Sequence, residues 1–303
     1  MMGDLCTFSE DLALARELIG FGKALGLRTV ALAVEEEAAG ELAGAGADEV
    51  ILIDDAASPI ESSARGIAKA IESEGFSIFA VGATPCGREL AAKVAGYMDC
   101  AMASDIAGAS LDGDELRIAR QLYGGSVIED VLLPLPCVVT IGKGKWEASD
   151  RGGQSQQRKV SIERDERVSV IETAPVAKQG ADLRSAKRIV SIGMGIQDQG
   201  DLAMVGGLAD KLDAPLGCTR GIAEERRWLP VEQYVGLSGV TVSPDLYLTL
   251  GVSGQVQHMV GARDSKVIAA IDKNENVPIF KSCDYGIVGD LYEIVPLLTK
   301  ALG

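Results

Sequence analysis

Apolar and polar positions alternate along this chain in two distinct rhythms. In the first third, short apolar runs of strand length are separated by segments with apolar residues at helical spacing. Leu5–Phe8 predicts a strand. Leu12, Ala15, Leu18, Ile19, Phe21 and Leu25 then form an apolar stripe near the 3.6-residue period, closed by Gly26. Thr29–Val34, Asp48–Ile53 and Ser77–Val81 predict further strands, with helices expected at Glu35–Ala45, Ser63–Glu72 and Arg88–Met98. Such alternation predicts a parallel sheet covered by helices on both faces.

After Asp99 the pattern changes. Ser104–Leu111, Leu116–Tyr123, Val127–Leu133 and Cys137–Ile141 predict consecutive strands, with a hairpin-type turn at Asp112–Gly113. They are expected to extend the same sheet in antiparallel fashion, with Trp146 closing its core. Glu147–Arg158 is polar and glycine-bearing and predicts a loop. Val160–Thr173 alternates as strands do, and Ala174–Ala186, carrying Pro175 and Gly180, predicts a connection. Two α/β domains are expected, 1–183 as a scaffold and docking domain and 184–303 as a second domain. The second opens with a strand at Arg188–Ile192, a turn at Gly193–Ile196 and a helix from about Asp201 to Leu212.

Composition narrows the function classes. A length of 303 residues allows two proper cores. Apolar residues make up 47%, aromatics only 4%, and there are 36 glycines, which favours an α/β protein over an all-β one. A net charge of −15 repels nucleic acid, and no basic patch offsets it. The six cysteines, at 6, 86, 100, 137, 218 and 283, form no CxxC pair, so neither an iron–sulfur cluster nor structural zinc is expected. Scattered thiols fit a reducing, cytoplasmic setting. The first twenty residues are too acidic for a signal or transit peptide, and no apolar run reaches 18 residues, so no stable membrane insertion is expected.

The stretch Leu246–Asp290 carries the strongest chemical signal. An apolar run, Leu246–Leu250, ends at Gly251, and Ser253 stands where a helix N-cap belongs, with Gly254 behind it. His258, the single histidine of the chain, follows one helical turn later. A second strand, Lys266–Ile271, ends on Asp272, and a third segment carries Asp284, Tyr285, Gly286 and Asp290. Strand, glycine turn, helix, strand and acid outline a dinucleotide site in a parallel sheet. GVSG is not GxGxxG, so a structural turn with a surface histidine is the alternative. Gly82–Leu90 (GATPCGREL) is also a strand-end loop feeding a helix, but it lacks the lysine of a phosphate-binding loop and reads as scaffold.

GVSGQVQHMVG (251–261), SKVIAAIDKN (265–274), PIF (278–280) and DYGIVGDL (284–291) together resemble the electron transfer flavoprotein alpha subunit, or FixB-like, family. GCTRG at Gly217–Gly221 and VGLSG at Val235–Gly239 match two further motifs in the same order. The likeness covers roughly Ala186 to the end. It extends more weakly through VGATPCGRELAAKVA (81–95) and RQLYGG (120–125). It implies an N-terminal domain of nucleotide-hydrolase-like fold and a C-terminal Rossmann-like domain that binds FAD. It also implies a heterodimer whose beta subunit holds the second nucleotide. Electrons would come from flavin dehydrogenases such as acyl-CoA dehydrogenases, or from NADH, and pass to a membrane or soluble acceptor. The role is that of a carrier, with no general base or nucleophile required.

By the same resemblance the cofactor contacts fall at Thr219 and Arg220, at Val235, Gly236, Leu237, Ser238 and Gly239, and at Ser253, Gly254, Gln255, Val256, Gln257 and His258. Asp272, Asp290 and Leu291 complete the set, with Asp290 toward ribose hydroxyls. Arg220 is implied beside the isoalloxazine ring, Ser238 toward its N5, and His258 toward its C2 carbonyl. A cation at about 4 Å, at an effective dielectric of about 20, is worth roughly 4 kcal/mol to a charge on the ring. At about 59 mV per 1.4 kcal/mol for one electron, that exceeds ~100 mV. The sequence departs from the family at several positions. Met194 stands where the family has arginine in a Gly-Arg-Gly turn; either a contact is lost, or Arg188, Lys211 or the partner supplies the charge. Asp272 replaces asparagine, Ser238 replaces threonine, and Tyr234 and Leu237 replace glutamines. Three other functions stay open: a flavin-bifurcating complex with two FAD per heterodimer, an NAD-binding module, and a cofactor-free assembly subunit.

Overall fold

A computed structural model of the chain describes all residues except 1–3, 55–58, 124–125, 151, 153–154 and 175–179. The expectations at the N-terminal segment 1–3, Gly124, Gly125, Arg151 and Pro175 thus lie outside the described residues. The chain divides into two compact units, 1–174 and 175–303.

The first unit is built on a seven-stranded parallel sheet in the order β10-β3-β2-β1-β4-β9-β5. Its strands are β1 (Leu5–Phe8), β2 (Thr29–Ala33), β3 (Glu49–Asp54), β4 (Ile78–Gly82), β5 (Ala101–Ala103), β9 (Cys137–Ile141) and β10 (Gln156–Ser161). Every residue of β1, β2, β4 and β9 is buried, as strands covered on both faces must be. Helices α1 (Leu12–Ala24), α2 (Glu36–Gly44), α3 (Ala64–Glu74) and α4 (Pro85–Met98) lie between strands in sequence. Asp11 caps α1 through bonds from the Ala13 and Leu14 amides. Thr84 caps α4 by accepting from Gly87 N at 2.9 Å, with Pro85 at the first helical position.

Strands β6 (Ile106–Asp112), β7 (Glu115–Leu122) and β8 (Val127–Pro134) correct one expectation. They do not extend the parallel sheet but form a separate three-stranded antiparallel sheet. Its inner face, Ile106, Leu116, Ile118 and Leu133, packs into the same core as Leu18, Phe21 and Ile78. Cys137–Ile141, expected in that antiparallel run, instead lies between β4 and β5 in the parallel sheet, because it is apolar on both faces. Trp146 packs edge-on to Phe21, ring centroids 4.8 Å apart. The strand expected within Val160–Thr173 is displaced to Gln156–Ser161, and beyond Ser161 no strand forms among the described residues up to Ala174. β10 is polar and pairs with β3 at the sheet edge. There Arg158 bonds Glu49 and Glu74, and Lys159 bonds Glu36.

The second unit holds five parallel strands in the order β12-β11-β13-β14-β15. They are β11 (Arg188–Ile192), β12 (Leu216–Cys218), β13 (Leu246–Leu250), β14 (Ile268–Asp272) and β15 (Tyr285–Val288). Helices α5 (Leu202–Lys211) and α7 (Leu291–Ala301) cover one face, packing with Val190, Ile192, Leu248, Leu250 and Ile271. The other face buries Ile189, Tyr247, Ile268 and Ala270 beneath Val235, Val242, Met259 and Ala262. The chain steps from β11 to one side and returns to β13 on the other, so the strand order reverses between β11 and β13. At such a switch point the loops leave in opposite directions and open a crevice at the carboxyl edge.

Candidate functional site

The crevice is assembled from loops that follow successive strands. After β11 the chain turns at Gly193, and Gly195 N donates to Gly251 O at 3.0 Å. A Cβ on Gly195 would stand 2.6 Å from the Gly251 Cα, so the turns after β11 and β13 meet backbone to backbone. Gly251 itself holds φ +63°, open to glycine at no steric cost. After β12, Thr219 N donates to Ile192 O at 2.9 Å, which sets Thr219–Gly221 beside the β11 turn. Met194, half exposed, lies against Gly221: a Cβ there would come within 2.8 Å of its sulfur.

Val235–Gly239 is stitched to both neighbours. Val235 N donates to Cys218 O at 2.9 Å and Leu237 N to Gln257 O at 2.7 Å. The Leu237 side chain is exposed, and the Ser238 hydroxyl lies 3.2 Å from the Tyr234 phenol oxygen. The tertiary structure thus brings Thr219 and Arg220, Val235–Gly239 and Ser253–His258 to one edge of the sheet. Asp272 ends β14 there, and Gly289 N donates to its carbonyl at 3.0 Å, which draws in Asp290 and Leu291.

The Ser253 N-cap expectation is corrected. The helix after β13 is a single turn, α6 (Val256–Met259); its cap position is Gln255, and no side chain caps it. One turn of helix carries little macrodipole, so anion attraction there depends on individual amides. Those amides are present. From Val252 to Gln257, six consecutive main-chain N–H groups make no hydrogen bond to another described residue. Gly254 holds φ +75°, with the Ile279 backbone 2.5 Å from where its Cβ would lie, so this glycine serves the turn's packing. Ile279 N also donates to Ser253 O at 3.0 Å.

Both acidic candidates already have local work. Asp290 caps α7 by accepting from Tyr292 N at 2.8 Å, and Asp272 accepts from Asn274 N at 2.9 Å. A carboxylate retains further lone pairs for a ligand hydroxyl. Leu291, the first residue of α7, is buried.

Arg220 is exposed, its Nε 2.7 Å from Glu224 Oε2, and that carboxylate raises its pKa above the ordinary value. His258 is the opposite case. It is only 7% exposed, and burial pushes its pKa down to about 4, with the Val235 main chain pulling weakly the other way. The imidazole is therefore neutral at pH 7. Its Nε2 lies 2.9 Å from the Tyr247 phenol oxygen, while its buried Nδ1 makes no hydrogen bond to another described residue. The Thr219 hydroxyl is likewise buried without a partner among the described residues.

The reading of the sequence missed Tyr247, Ser191 and Arg226. The first two had a signal, polar atoms at inward positions of apolar strands; Arg226 had none, because its role depends on a turn 30 residues upstream. Its Nη1 donates to Ile196 O and Gln197 O at 2.8 and 2.9 Å, and its guanidinium stacks 4.4 Å above Trp228. Arg188 and Lys211 do not replace the cation absent at Met194. Arg188 opens β11 at the amino edge and donates to Leu212 O, and Lys211 bonds Gly303. Four strand residues separate Arg188 from the turn at Gly193, about 13 Å.

Comparison with known proteins gives the family of the chain. Residues 182–263 match the family described as the electron transfer flavoprotein FAD-binding domain, and residues 12–174 match the electron transfer flavoprotein domain. The FixB protein of Salmonella typhimurium strain LT2 is 33% identical over 303 residues, covering 97% of this chain and 96% of its own. The chain belongs to the electron transfer flavoprotein alpha (FixB-like) family. YdiR of Escherichia coli strain K12, named for an electron transfer flavoprotein subunit, is 37% identical over 258 residues, 84% of this chain and 82% of its own. FixB of Escherichia coli O1:K1 is 37% identical over 220 residues, 71% of this chain and 70% of its own.

Members of this family transfer electrons and are not catalysts, and FAD is the cofactor of the matched domain. The residues present fit such a group. Six free amides suit an anionic pyrophosphate, and the unpartnered Nδ1 of His258 and hydroxyl of Thr219 suit polar atoms of a ligand. Among the described residues there is no group of His, Cys, Asp and Glu that would hold a metal ion, and no helix is long and apolar enough to cross a membrane.

Proposed function

We propose that the chain is the alpha subunit of a heterodimeric electron transfer flavoprotein that holds one FAD along the carboxyl edge of its second sheet. A beta subunit completes the site. Electrons arrive from flavin dehydrogenases, such as acyl-CoA dehydrogenases, or from NADH, and leave for a membrane or soluble acceptor, in a cytoplasmic setting. The observation that carries this reading is the run of unbonded amides, Val252–Gln257, beside the buried and unpartnered Nδ1 of His258.

When bound, FAD supplies a ring that takes up and releases electrons. The protein's own groups have separable tasks. The amides of Val252–Gln257 donate to the pyrophosphate, and Ser253 and Gln255, both exposed, are placed to reach it. Asp272 and Asp290 accept from ribose hydroxyls with the lone pairs their caps leave free. Arg220 places positive charge near the ring, moderated by Glu224. Ser238 and Thr219 offer hydroxyls, and His258 offers a neutral imidazole. Val235, Gly236, Leu237 and Gly239 shape the wall, and the Leu237 amide ties that wall to Gln257. Leu291 anchors the helix that Asp290 caps.

The test is co-purification with the beta partner, a visible spectrum and a flavin count. About one FAD per alpha chain is expected. Arg220→Gln should lower the midpoint potential by roughly 100 mV, the scale set by a cation at ~4 Å with an effective dielectric of ~20. A colourless complex, or a potential indifferent to Arg220, overturns the reading.

A further inference from the structure

One face of the second sheet carries a line of polar side chains in otherwise apolar strands. Ser191 on β11 and Tyr247 and Thr249 on β13 are all fully buried. Thr249 is accounted for, its hydroxyl donating to Ala269 O at 3.3 Å. Tyr247 is not accounted for by packing alone, since phenylalanine would fill the same space without a polar atom to satisfy. Its phenol oxygen lies 2.9 Å from His258 Nε2, with the two rings tilted by 38° at a centroid distance of 6.0 Å. The Ser191 hydroxyl lies close to the phenol but outside hydrogen-bonding geometry.

Two neutral arrangements of the pair exist. With the imidazole proton on Nε2, that N–H donates to the phenol. Among the described residues the phenol hydrogen then has no acceptor within bonding geometry, and the bare Nδ1 has no donor. With the proton on Nδ1, the phenol donates to Nε2, and the one group of the pair left without a hydrogen bond among the described residues is the Nδ1–H donor, with the Val235 main chain near the ring but outside bonding geometry. Burial holds the phenol protonated, its pKa driven well above the ordinary value, so its hydrogen must go somewhere. The second arrangement leaves one orphan instead of two, and a ligand carbonyl removes that last one.

We propose that Tyr247 is the positioning residue for His258: its phenol donates to Nε2, fixes the imidazole as the Nδ1–H tautomer, and so presents a neutral hydrogen-bond donor to the cofactor. This rests on the reading of the crevice as the FAD site for its consequence, but not for the tautomer itself. A neutral donor and a cation act differently on a reduced ring. A donor contributes about one hydrogen bond, whereas a cation would add a full charge. On this account Arg220 and Arg226 carry the charge near the site, and His258 supplies direction.

The chain has a single histidine, so its ring nitrogens are read without assignment by nitrogen-15 NMR of the full chain with labelled histidine, in unlabelled partner where the complex is used. A protonated, pyrrole-type Nδ1 and a bare, pyridine-type Nε2 are expected at pH 7. Tyr247→Phe keeps the ring and removes only the donor; it should lose the single-tautomer signature. In the flavin-loaded complex the same change should weaken the reduced ring's stabilisation about tenfold, a fall of about 59 mV for one electron. A protonated Nε2 in the wild type overturns the proposal, and so does an unchanged tautomer in Tyr247→Phe. Should that variant not fold, the wild-type spectrum decides by itself. A flavin-free complex with an Nδ1–H histidine would sink the FAD reading while leaving the tautomer assignment standing.

Discussion

Lowering the pH from 7 to 5 should destabilise the second unit through His258. The folded ring has a pKa of about 4 because burial disfavours the imidazolium, against an ordinary value of 6.5. A depressed value means the unfolded chain binds more protons between those limits. The contribution to stability is therefore complete above about pH 6.5 and is lost as the pH falls toward 4. The full gap is worth about 3 kcal/mol, and the part lost between pH 7 and 5 is roughly 2 kcal/mol. Urea unfolding at pH 7, 6 and 5 would read this as a midpoint falling by about 1 M, given a slope of about 2 kcal/mol/M. Carboxylates also titrate toward the lower end, so the comparison is with His258→Gln, which keeps a polar group near Tyr247 but does not titrate. The difference between the two proteins isolates the histidine. Equal losses of stability between pH 7 and 5 would refute the reasoning, because a histidine that titrates normally in the fold contributes no slope.

Four further outcomes follow from the geometry. Gly195→Ala places a Cβ 2.6 Å from the Gly251 Cα, where backbone must move, and should cost roughly 2 kcal/mol or more; an unchanged thermal midpoint counts against the two-turn contact. Glu224→Gln removes the carboxylate paired with exposed Arg220, so the thermal midpoint should hardly move while the flavin potential rises, opposite in sign to Arg220→Gln. Met194→Arg returns a guanidinium to the β11 turn and should slow flavin loss about tenfold, the scale of one charged hydrogen bond at about 1.5 kcal/mol or more; no change would mean that Met194 does not face the cofactor. Cys137 and Cys218, whose thiols burial pushes up to about 12, should resist alkylation at pH 8 in the folded protein and react once it is unfolded, as followed by mass spectrometry.

Local pattern was enough for most of the strands and for the position of the crevice. Arg188–Ile192, Leu246–Leu250 and Cys137–Ile141 stand in the structure with the bounds their apolar runs imply, because a short run flanked by polar or glycine residues has few ways to be buried. The glycine turns after β11 and β13 were legible for a similar reason. Which strands pair was not. β9 follows an antiparallel hairpin pair in sequence yet joins the parallel sheet, and the polar Gln156–Ser161 becomes a strand only because β3 and the carboxylates of Glu36, Glu49 and Glu74 meet it. No local pattern encodes a partner more than a hundred residues away.

The same division runs through the site. Thr219, Arg220, Ser238, Ser253, His258 and Asp290 were visible as chemistry-bearing residues in ordered motifs. The state of each was not. Arg220 is half-answered by Glu224, Asp290 caps a helix, and the Ser253 turn leads into one turn of helix with free amides in place of a longer helix with a dipole. His258 departs furthest. A solitary histidine in sequence says only that a proton can be bound near neutral pH. The apolar shell around it and one phenol 2.9 Å away make it neutral and directional. Residue identity determines what a group can donate, accept or ionise. Burial and neighbours, which exist only once distant strands are packed together, determine which of those it does.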